Sequence, residues 1–261
     1  MKEIAIIGAG NMGGAIARSL LKGTLISARD IAISDVSQKT LNDLSEISLE
    51  WKLSTSNSDV VANADLIILA VKPWLVEVVA NEIRDKIDYS RQLILSIAAG
   101  VDFATLSKLF SPEGVYFRMI PNTAIDVMES VSTITSFHAS QAQIAEITAI
   151  FEESGKTFYV TDENQLNVFM SLSSCGIAYA FRYIRAAMEG GVEMGIYPEI
   201  AKKVVMQTLK GAVKLLETNE SHPEMEIDKV TTPGGITIKG LNEMEANGFS
   251  NAVIKGLLKS R

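Results

Sequence analysis

The chain is poor in the groups that carry most metal, redox and acid–base chemistry. Its 261 residues include two histidines, His138 and His222, and a single cysteine, Cys175. One thiol cannot form an intrachain disulfide, so a reducing, cytoplasmic setting is expected. No His/Cys/carboxylate cluster has metal-ligand spacing, and no metal is expected. His222 falls in a polar stretch and His138 just past a strand candidate, so both read as structural or solvated. Long apolar runs are missing: none approaches the roughly 20 residues of a membrane span. The N-terminus enters its first strand candidate without a charged leader, so no membrane partner is expected. Positive charge is also short, with 24 Lys and Arg against 31 Asp and Glu, a net −7. That balance argues against nucleic acid as a partner.

The composition that remains is ordinary for a globular protein, 47% hydrophobic and 21% charged. Within it, the apolar run Ile4–Ile7 leads straight into Gly8-Ala9-Gly10-Asn11-Met12-Gly13, and a helical pattern follows. This is the strand–turn–helix setting in which G-x-G-x-x-G marks a dinucleotide site. Gly8 permits the tight turn, Gly10 lets a pyrophosphate approach the backbone, and Gly13 lets helix and strand pack closely. The amides of the first turn, including Asn11 and Met12, then face the phosphates, aided by the helix dipole.

Short apolar runs alternate with helical patterns through the first 160 residues, which implies parallel strands joined by crossover helices. Strands are predicted at Ile4–Ile7, Ile31–Ser34, Leu66–Val71, Leu93–Ile97, Val115–Met119, Val131–Ser136 and Lys156–Val160. Helices are predicted at 38–47, 73–86 and 140–154, and the pairing direction of 131–136 is left open. From Thr161 onward helical periodicity takes over. A long helix is expected over 163–189, broken or bent near Cys175-Gly176. Another is expected over 199–219, then a polar loop over 219–226 and a last helical region. The fold class is therefore an α/β Rossmann-type parallel-sheet domain, 1–160, followed by an all-α domain, 161–261. A hundred residues of helix with many apolar positions imply a homodimer, possible as the unit of a larger assembly.

Several strand ends carry candidate cofactor contacts, because ligands bind at the carboxyl edge of such sheets. Asp35 ends the second strand 25 residues after Gly10, where a carboxylate can accept from ribose hydroxyls. It would repel a 2′-phosphate and so leans the cofactor from NADPH towards NADH; the alternative is that it caps the next helix. Val71-Lys72-Pro73 ends the third parallel strand, and Pro73 pre-sets a helix start. Ala98-Ala99-Gly100 supplies small residues, suited to an approaching nicotinamide ring or to plain tight packing. Asn122 can bond the nicotinamide ribose or carboxamide, or its own turn.

A second chemical segment lies far along the chain at Val230-Thr231-Thr232-Pro233-Gly234-Gly235-Ile236-Thr237-Ile238. Thr232 is placed to cap a helix, leaving the Ile236 and Thr237 amides to bind a small carboxylate; the alternative is an ordinary capped turn. With Gly8–Gly13, Ala70–Pro73, Ser96–Gly100 and Pro121-Asn122-Thr123, this segment resembles the ordered motif set of the pyrroline-5-carboxylate reductases. Leu216-Glu217, His222-Pro223, Asp228, Leu241, Glu245 and Gly248-Phe249 extend the resemblance along the whole chain. The resemblance implies a Rossmann domain joined to a helical dimerisation domain. It also implies reduction of L-1-pyrroline-5-carboxylate to L-proline with NAD(P)H. By the same resemblance, Thr232, Gly235 and the Ile236 and Thr237 amides would bind the substrate carboxylate. The Thr237 hydroxyl would bond the ring nitrogen.

The scarcity of histidine suits that chemistry. A protonated cyclic imine is already electrophilic, so hydride transfer needs mainly placement and desolvation. A β-hydroxyacid dehydrogenase would instead use a helix lysine, but Asn167 is followed three residues on by Met170, and no lysine lies between Lys156 and Lys202. The family's Gly-Ser-Gly/Ser-Pro-Ala-Tyr stretch reads here Ser174-Cys175-Gly176-Ile177-Ala178-Tyr179. Cys175 thus stands where serine is usual, as a substrate-contacting or packed thiol. Ile177 replaces proline, and Ile120 and Ala124 replace residues usual around the Pro-Asn-Thr turn. A reductase of another imine carboxylate, or a non-catalytic NAD(P)H-binding regulator, are the rival readings.

Overall fold

A computed structural model of the chain describes residues 3–260. It divides into two compact units, the first ending at Ser174 and the second beginning at Cys175.

The first unit is built on one sheet. Its strands are β1 (Ile4–Ile7), β2 (Ile31–Ser34), β3 (Lys52–Ser54), β4 (Leu66–Leu69), β5 (Leu93–Ser96), β6 (Val115–Ile120), β7 (Ser130–Phe137) and β8 (Gly155–Tyr159). Their order across the sheet is β3-β2-β1-β4-β5-β6-β7-β8. All neighbours are parallel except β6 and β7, which run antiparallel, with Arg118 opposite Thr135. The direction left open for β7 is thus antiparallel to β6 and parallel to β8. The helices are α1 (Asn11–Lys22), α2 (Gln38–Ser45), α3 (Asn57–Val61), α4 (Val76–Ile83), α5 (Phe103–Leu109), α6 (Gln141–Glu152) and α7 (Gln165–Met170).

Alternation along the strands explains why both faces are covered. Ile4 and Ile6 of β1 pack with Ile16 and Leu20 of α1 and Ile147, Ile150 and Phe151 of α6. Ala5 and Ile7 point the other way, into a cluster with Val60 and Val61 of α3, Val79 and Ile83 of α4, and Leu106 of α5. Strands buried on both faces read as continuous apolar runs, which is why the central ones were legible.

The structure corrects several boundaries. β3 was not predicted: it has three residues, Lys-Leu-Ser, none of them fully buried, so it shows no apolar run. The strand expected over 66–71 ends at Leu69, because Ala70 and Val71 already belong to the turn under the glycine loop. The helix expected over 73–86 is α only from Val76 to Ile83, with single 3-10 turns at Pro73–Leu75 and Arg84–Lys86.

Between Ser171 and Cys175 the helical hydrogen bonding widens to a π turn. The Ser171 hydroxyl donates to the Asn167 carbonyl at 3.0 Å and that of Ser173 to Phe169 at 2.8 Å. Hydroxyls that reach back four residues compete with the regular ladder and bend helices, so the break expected near Cys175 is a serine-supported π turn.

The second unit is helical: α8 (Gly176–Glu193), α9 (Pro198–Asn219), α10 (Pro223–Val230), α11 (Ile236–Ala246) and α12 (Phe249–Lys259). Only the first four residues of the loop expected over 219–226 are non-helical or terminal, because Pro223 starts α10 with the His222 side chain accepting from the Glu224 amide at 3.3 Å. Among the described residues, no helix is long and apolar enough to cross a membrane.

Candidate active site

The glycine turn has the geometry its sequence demands. Gly8 sits at φ +93°, and a Cβ there would lie 2.9 Å from the Ala70 carbonyl oxygen and from Val71 Cγ1. Its amide donates to the Ser34 carbonyl at 2.8 Å, which ties the turn to β2. A Cβ at Gly13 would overlap the Gly8 carbonyl oxygen, whereas one at Gly10 would meet nothing within 4 Å. Gly10 is the N-cap of α1 and brings no side chain to cap it. The Asn11, Met12 and Gly13 amides therefore have no acceptor within the helix.

This turn opens on a groove of about 1050 Å³. Gly8, Gly10, Asn11 and Met12 line it, together with Asp35 from the end of β2. Val71, Lys72 and Pro73 join from the end of β4, and Ala98 and Ala99 from the end of β5. Gly13 lies beneath as a packing residue, and Gly100 (φ +78°) and Asn122 are not part of the lining. The groove runs along the carboxyl edge at the switch between β1 and β4, where ligands of doubly wound sheets bind. Its residues fit a dinucleotide: an uncapped helix start, a cradle that a Cβ would fill, and small side chains beyond it.

Asp35 is held in place by two backbone amides, one from the glycine turn and one from its own loop. Its Oδ2 accepts the Ala9 amide at 2.7 Å and its Oδ1 the Ser37 amide at 2.8 Å. The cap of the following helix comes from Ser37 rather than Asp35: the Ser37 hydroxyl accepts from the Thr40 amide. Several groove residues were not anticipated. Ser34 donates to Asn57 Oδ1 at 2.7 Å, and Asn57 Nδ2 donates to Glu82 Oε2 at 2.6 Å; Asn57 and Glu82 both line the groove. Arg18, also in the lining, grips Asp126 through Nε at 2.7 Å and Nη2 at 3.1 Å. The hydrogen bond from Arg18 holds the Asp126 carboxyl below its ordinary 3.8, and the Lys22 ammonium donates to the Asp126 carbonyl.

Behind the groove, two contacts fix the loops after β5 and β6. Glu163 Oε1 accepts the Phe103 amide at 2.8 Å and the buried Arg118 guanidinium at 2.7 Å. Ser174 of the π turn donates to the Pro121 carbonyl at 2.8 Å. Asn122 is buried; its Oδ1 accepts the Ala124 amide at 3.1 Å, and its Nδ2 reaches the Ser173 carbonyl at 3.5 Å. Its neighbour Thr123 reaches the groove.

In the helical unit, the Pro-Gly-Gly segment forms a turn closed by the Gly235 amide donating to the Thr232 carbonyl at 2.9 Å, with Gly234 at φ +70°. The expected cap is corrected here: Gly235, not Thr232, caps α11, because the turn places Thr232 three residues too early. A Cβ on Gly235 would come 2.6 Å from the Thr232 hydroxyl oxygen, so glycine keeps that hydroxyl accessible. Ile236 and Thr237 are the first two helical residues, so their amides lack intrahelical acceptors. Thr232, Ile236 and Thr237 are exposed, and Cys175 is half-buried as a free thiol. Among the described residues no three His, Cys, Asp or Glu side chains group to hold a metal ion.

The glycine turn, the switch-point groove and the doubly wound sheet together define a dinucleotide-binding protein of the Rossmann class. Residues 163–261 match the family model for pyrroline-5-carboxylate reductase dimerisation, and residues 3–100 match one described as NADP oxidoreductase, coenzyme F420-dependent. The chain is 33% identical to a pyrroline-5-carboxylate reductase of Methanosarcina acetivorans, over 100% of this chain and 97% of that one. It is 35% identical to pyrroline-5-carboxylate reductase 1 of Dictyostelium discoideum, over 98% of this chain, and spans 48% of that longer relative. The pyrroline carboxylate reductase of Plasmodium falciparum, solved with NADP bound, superposes with a TM-score of 0.90 at 25% identity, covering 99% of this chain and 95% of that one. The chain belongs to the pyrroline-5-carboxylate reductase family.

Proposed function

We propose that this chain reduces L-1-pyrroline-5-carboxylate to L-proline with a nicotinamide dinucleotide, NADH in preference to NADPH. The observation that carries the reading is the pairing, in one full-length family match, of the dinucleotide groove with the exposed Thr232–Thr237 loop. When bound, the dinucleotide supplies a hydride to the imine carbon. The chain's own part is to bind and orient. The α1 amides and Gly8–Gly10 hold the pyrophosphate, and Ala98 and Ala99 leave room for a flat ring. The Ile236 and Thr237 amides bind the carboxylate with the Thr232 hydroxyl, and Gly235 and Cys175 border the substrate. The Thr237 hydroxyl accepts from the protonated ring nitrogen, which fixes which face of the imine is reduced. No proton need be moved by a side chain before transfer, in keeping with a site that lacks histidine.

The NADH preference is supported by Asp35, which faces the groove as a carboxylate. We place substrate binding and dimerisation in residues 161–261 and nucleotide binding in 1–160. The working form is a homodimer in the cytoplasm, in keeping with a lone cysteine.

The test is oxidation of NADH and of NADPH by purified protein with pyrroline-5-carboxylate, followed at the nicotinamide absorbance band. No oxidation of either overturns the assignment; turnover with another cyclic imine carboxylate only would redirect it. Thr237→Val should lower kcat at least about 100-fold, as loss of a transition-state contact does, while dinucleotide affinity stays within about twofold. Loss of dinucleotide binding in that variant would overturn the role given to Thr237.

A further inference from the structure

We propose that Glu82 is a specificity-determining residue for the nucleotide, acting with Asp35 to make one end of the groove doubly acidic and to exclude a 2′-phosphate. The proposal rests on the dinucleotide reading of the groove and adds a residue that no motif points to.

The argument starts with the end of the groove bordered by β2 and α3. Asp35, Val36, Asn57, Val78 and Glu82 line it. Val36 is 92% exposed and Val78 52%, which gives this end an apolar wall of the kind that takes a flat base. Beside that wall the polar groups are ordered by one another. The Ser34 hydroxyl donates to Asn57 Oδ1 at 2.7 Å, which fixes the orientation of the amide. The Asn57 NH2 must then point at Glu82, and it donates to Oε2 at 2.6 Å. The Ser58 hydroxyl also donates to the Glu82 carbonyl at 3.3 Å, holding this turn of α4 against α3. Glu82 is thus placed by two residues from a different βαβ unit.

Among the described residues, neither Asp35 nor Glu82 has an ion pair with a Lys or Arg side chain. Asp35 is met by two backbone amides, which fix it without cancelling its charge. Arg18 lines the groove but is committed to Asp126 through two hydrogen bonds. Lys39, the cation nearest Asp35 in sequence, is absent from the lining, and Lys72 enters from the end of β4. A ribose 2′-hydroxyl can donate to Asp35 here, with Glu82 adding charge beside it. A 2′-phosphate, carrying about −1.5 to −2 charges at neutral pH, is repelled by both.

The test is direct binding: full-length protein titrated with NADH and with NADPH, read by nicotinamide fluorescence without substrate. Glu82→Gln keeps an oxygen for the Asn57 amide and removes only the charge. It should tighten NADPH about tenfold and leave NADH within about twofold, an effect that shrinks as salt rises from about 0.05 to 0.5 M. Glu82→Lys should tighten NADPH further and reverse the preference. An unchanged NADPH-to-NADH ratio in both variants, with wild-type binding intact, overturns the assignment to Glu82. Wild-type protein that binds neither dinucleotide overturns the dinucleotide reading itself.

Discussion

Gly10 and Gly13 belong to one fingerprint but answer to different forces. At Gly13 an added Cβ would run into the Gly8 carbonyl, so Gly13→Ala must push α1 away from the turn. Overpacking of this kind costs about 1–3 kcal/mol, so the variant should melt several degrees lower and bind dinucleotide poorly. At Gly10 the same Cβ meets open space, and the backbone at φ −64° suits alanine. Gly10→Ala should therefore keep the thermal midpoint within about 2 °C, by the small scale of unstrained surface changes, yet lose at least about tenfold in dinucleotide affinity. Calorimetry and fluorescence titration check both, and a Gly10→Ala protein that binds normally would remove Gly10 from the phosphate site. The turn at Gly8 and the close packing at Gly13 were legible because both are local, within six residues of one another. Asn57, Glu82, Arg18 and Asp126 were not, because each takes its place in the groove through a partner 23 or more residues away. No spacing rule in one sequence signals such pairs.

At the scale of elements, α1 is fastened twice: to β1 by the glycines and to the 3-10 segment Thr123–Val127 by Arg18 and Lys22. The second fastening is electrostatic and so depends on pH. Hydrogen bonding to Arg18 lowers the Asp126 carboxyl from its ordinary 3.8, so the ionised form is favoured by folding. A depressed folded value gives stability that is complete above the unfolded value and lost as pH falls through the folded one. The difference in thermal midpoint between wild type and Asp126→Asn should therefore be constant from pH 7 to about 5 and close below about pH 4. A difference that persists unchanged at pH 3 would show that the ionised pair is not its source. Elements were otherwise read best where burial was two-sided. Ile4–Ile7 and Ile31–Ser34 were found to the residue. The edge strand Lys52–Ser54 escaped because its pairing to β2, rather than any apolar pattern, makes it a strand. The π turn also escaped in detail: the sequence marks a break, but only the bonds from Ser171, Ser173 and Ser174 give it its form.

At the scale of the whole molecule, the helical unit lacks a core of its own. Among the described residues from Cys175 onward, only Gly191 and Ala201 are buried. Phe181 is 60% exposed, Met194 and Tyr197 79%, and Leu258 66%. Exposed apolar area on this scale marks an interaction surface, and a second copy of the chain is the partner the proposed homodimer assigns to it. The consequence separates sharply from the monomer case. On a monomer, Phe181→Glu is a surface change worth within about 0.5 kcal/mol. In a two-fold dimer the same substitution removes about 1.5–3 kcal/mol of burial per copy, twice over by symmetry, and sets a carboxylate in an apolar contact. Wild-type protein should sediment at twice the chain mass, with a thermal midpoint that rises with protein concentration. Phe181→Glu should sediment as a single chain, and its midpoint should lose the concentration dependence. A wild-type chain that stays monomeric at about 10 μM, about ten-thousandfold above a dissociation constant of about 1 nM, would overturn the dimer. A dimer untouched by Phe181→Glu would instead move the interface to another face of these helices.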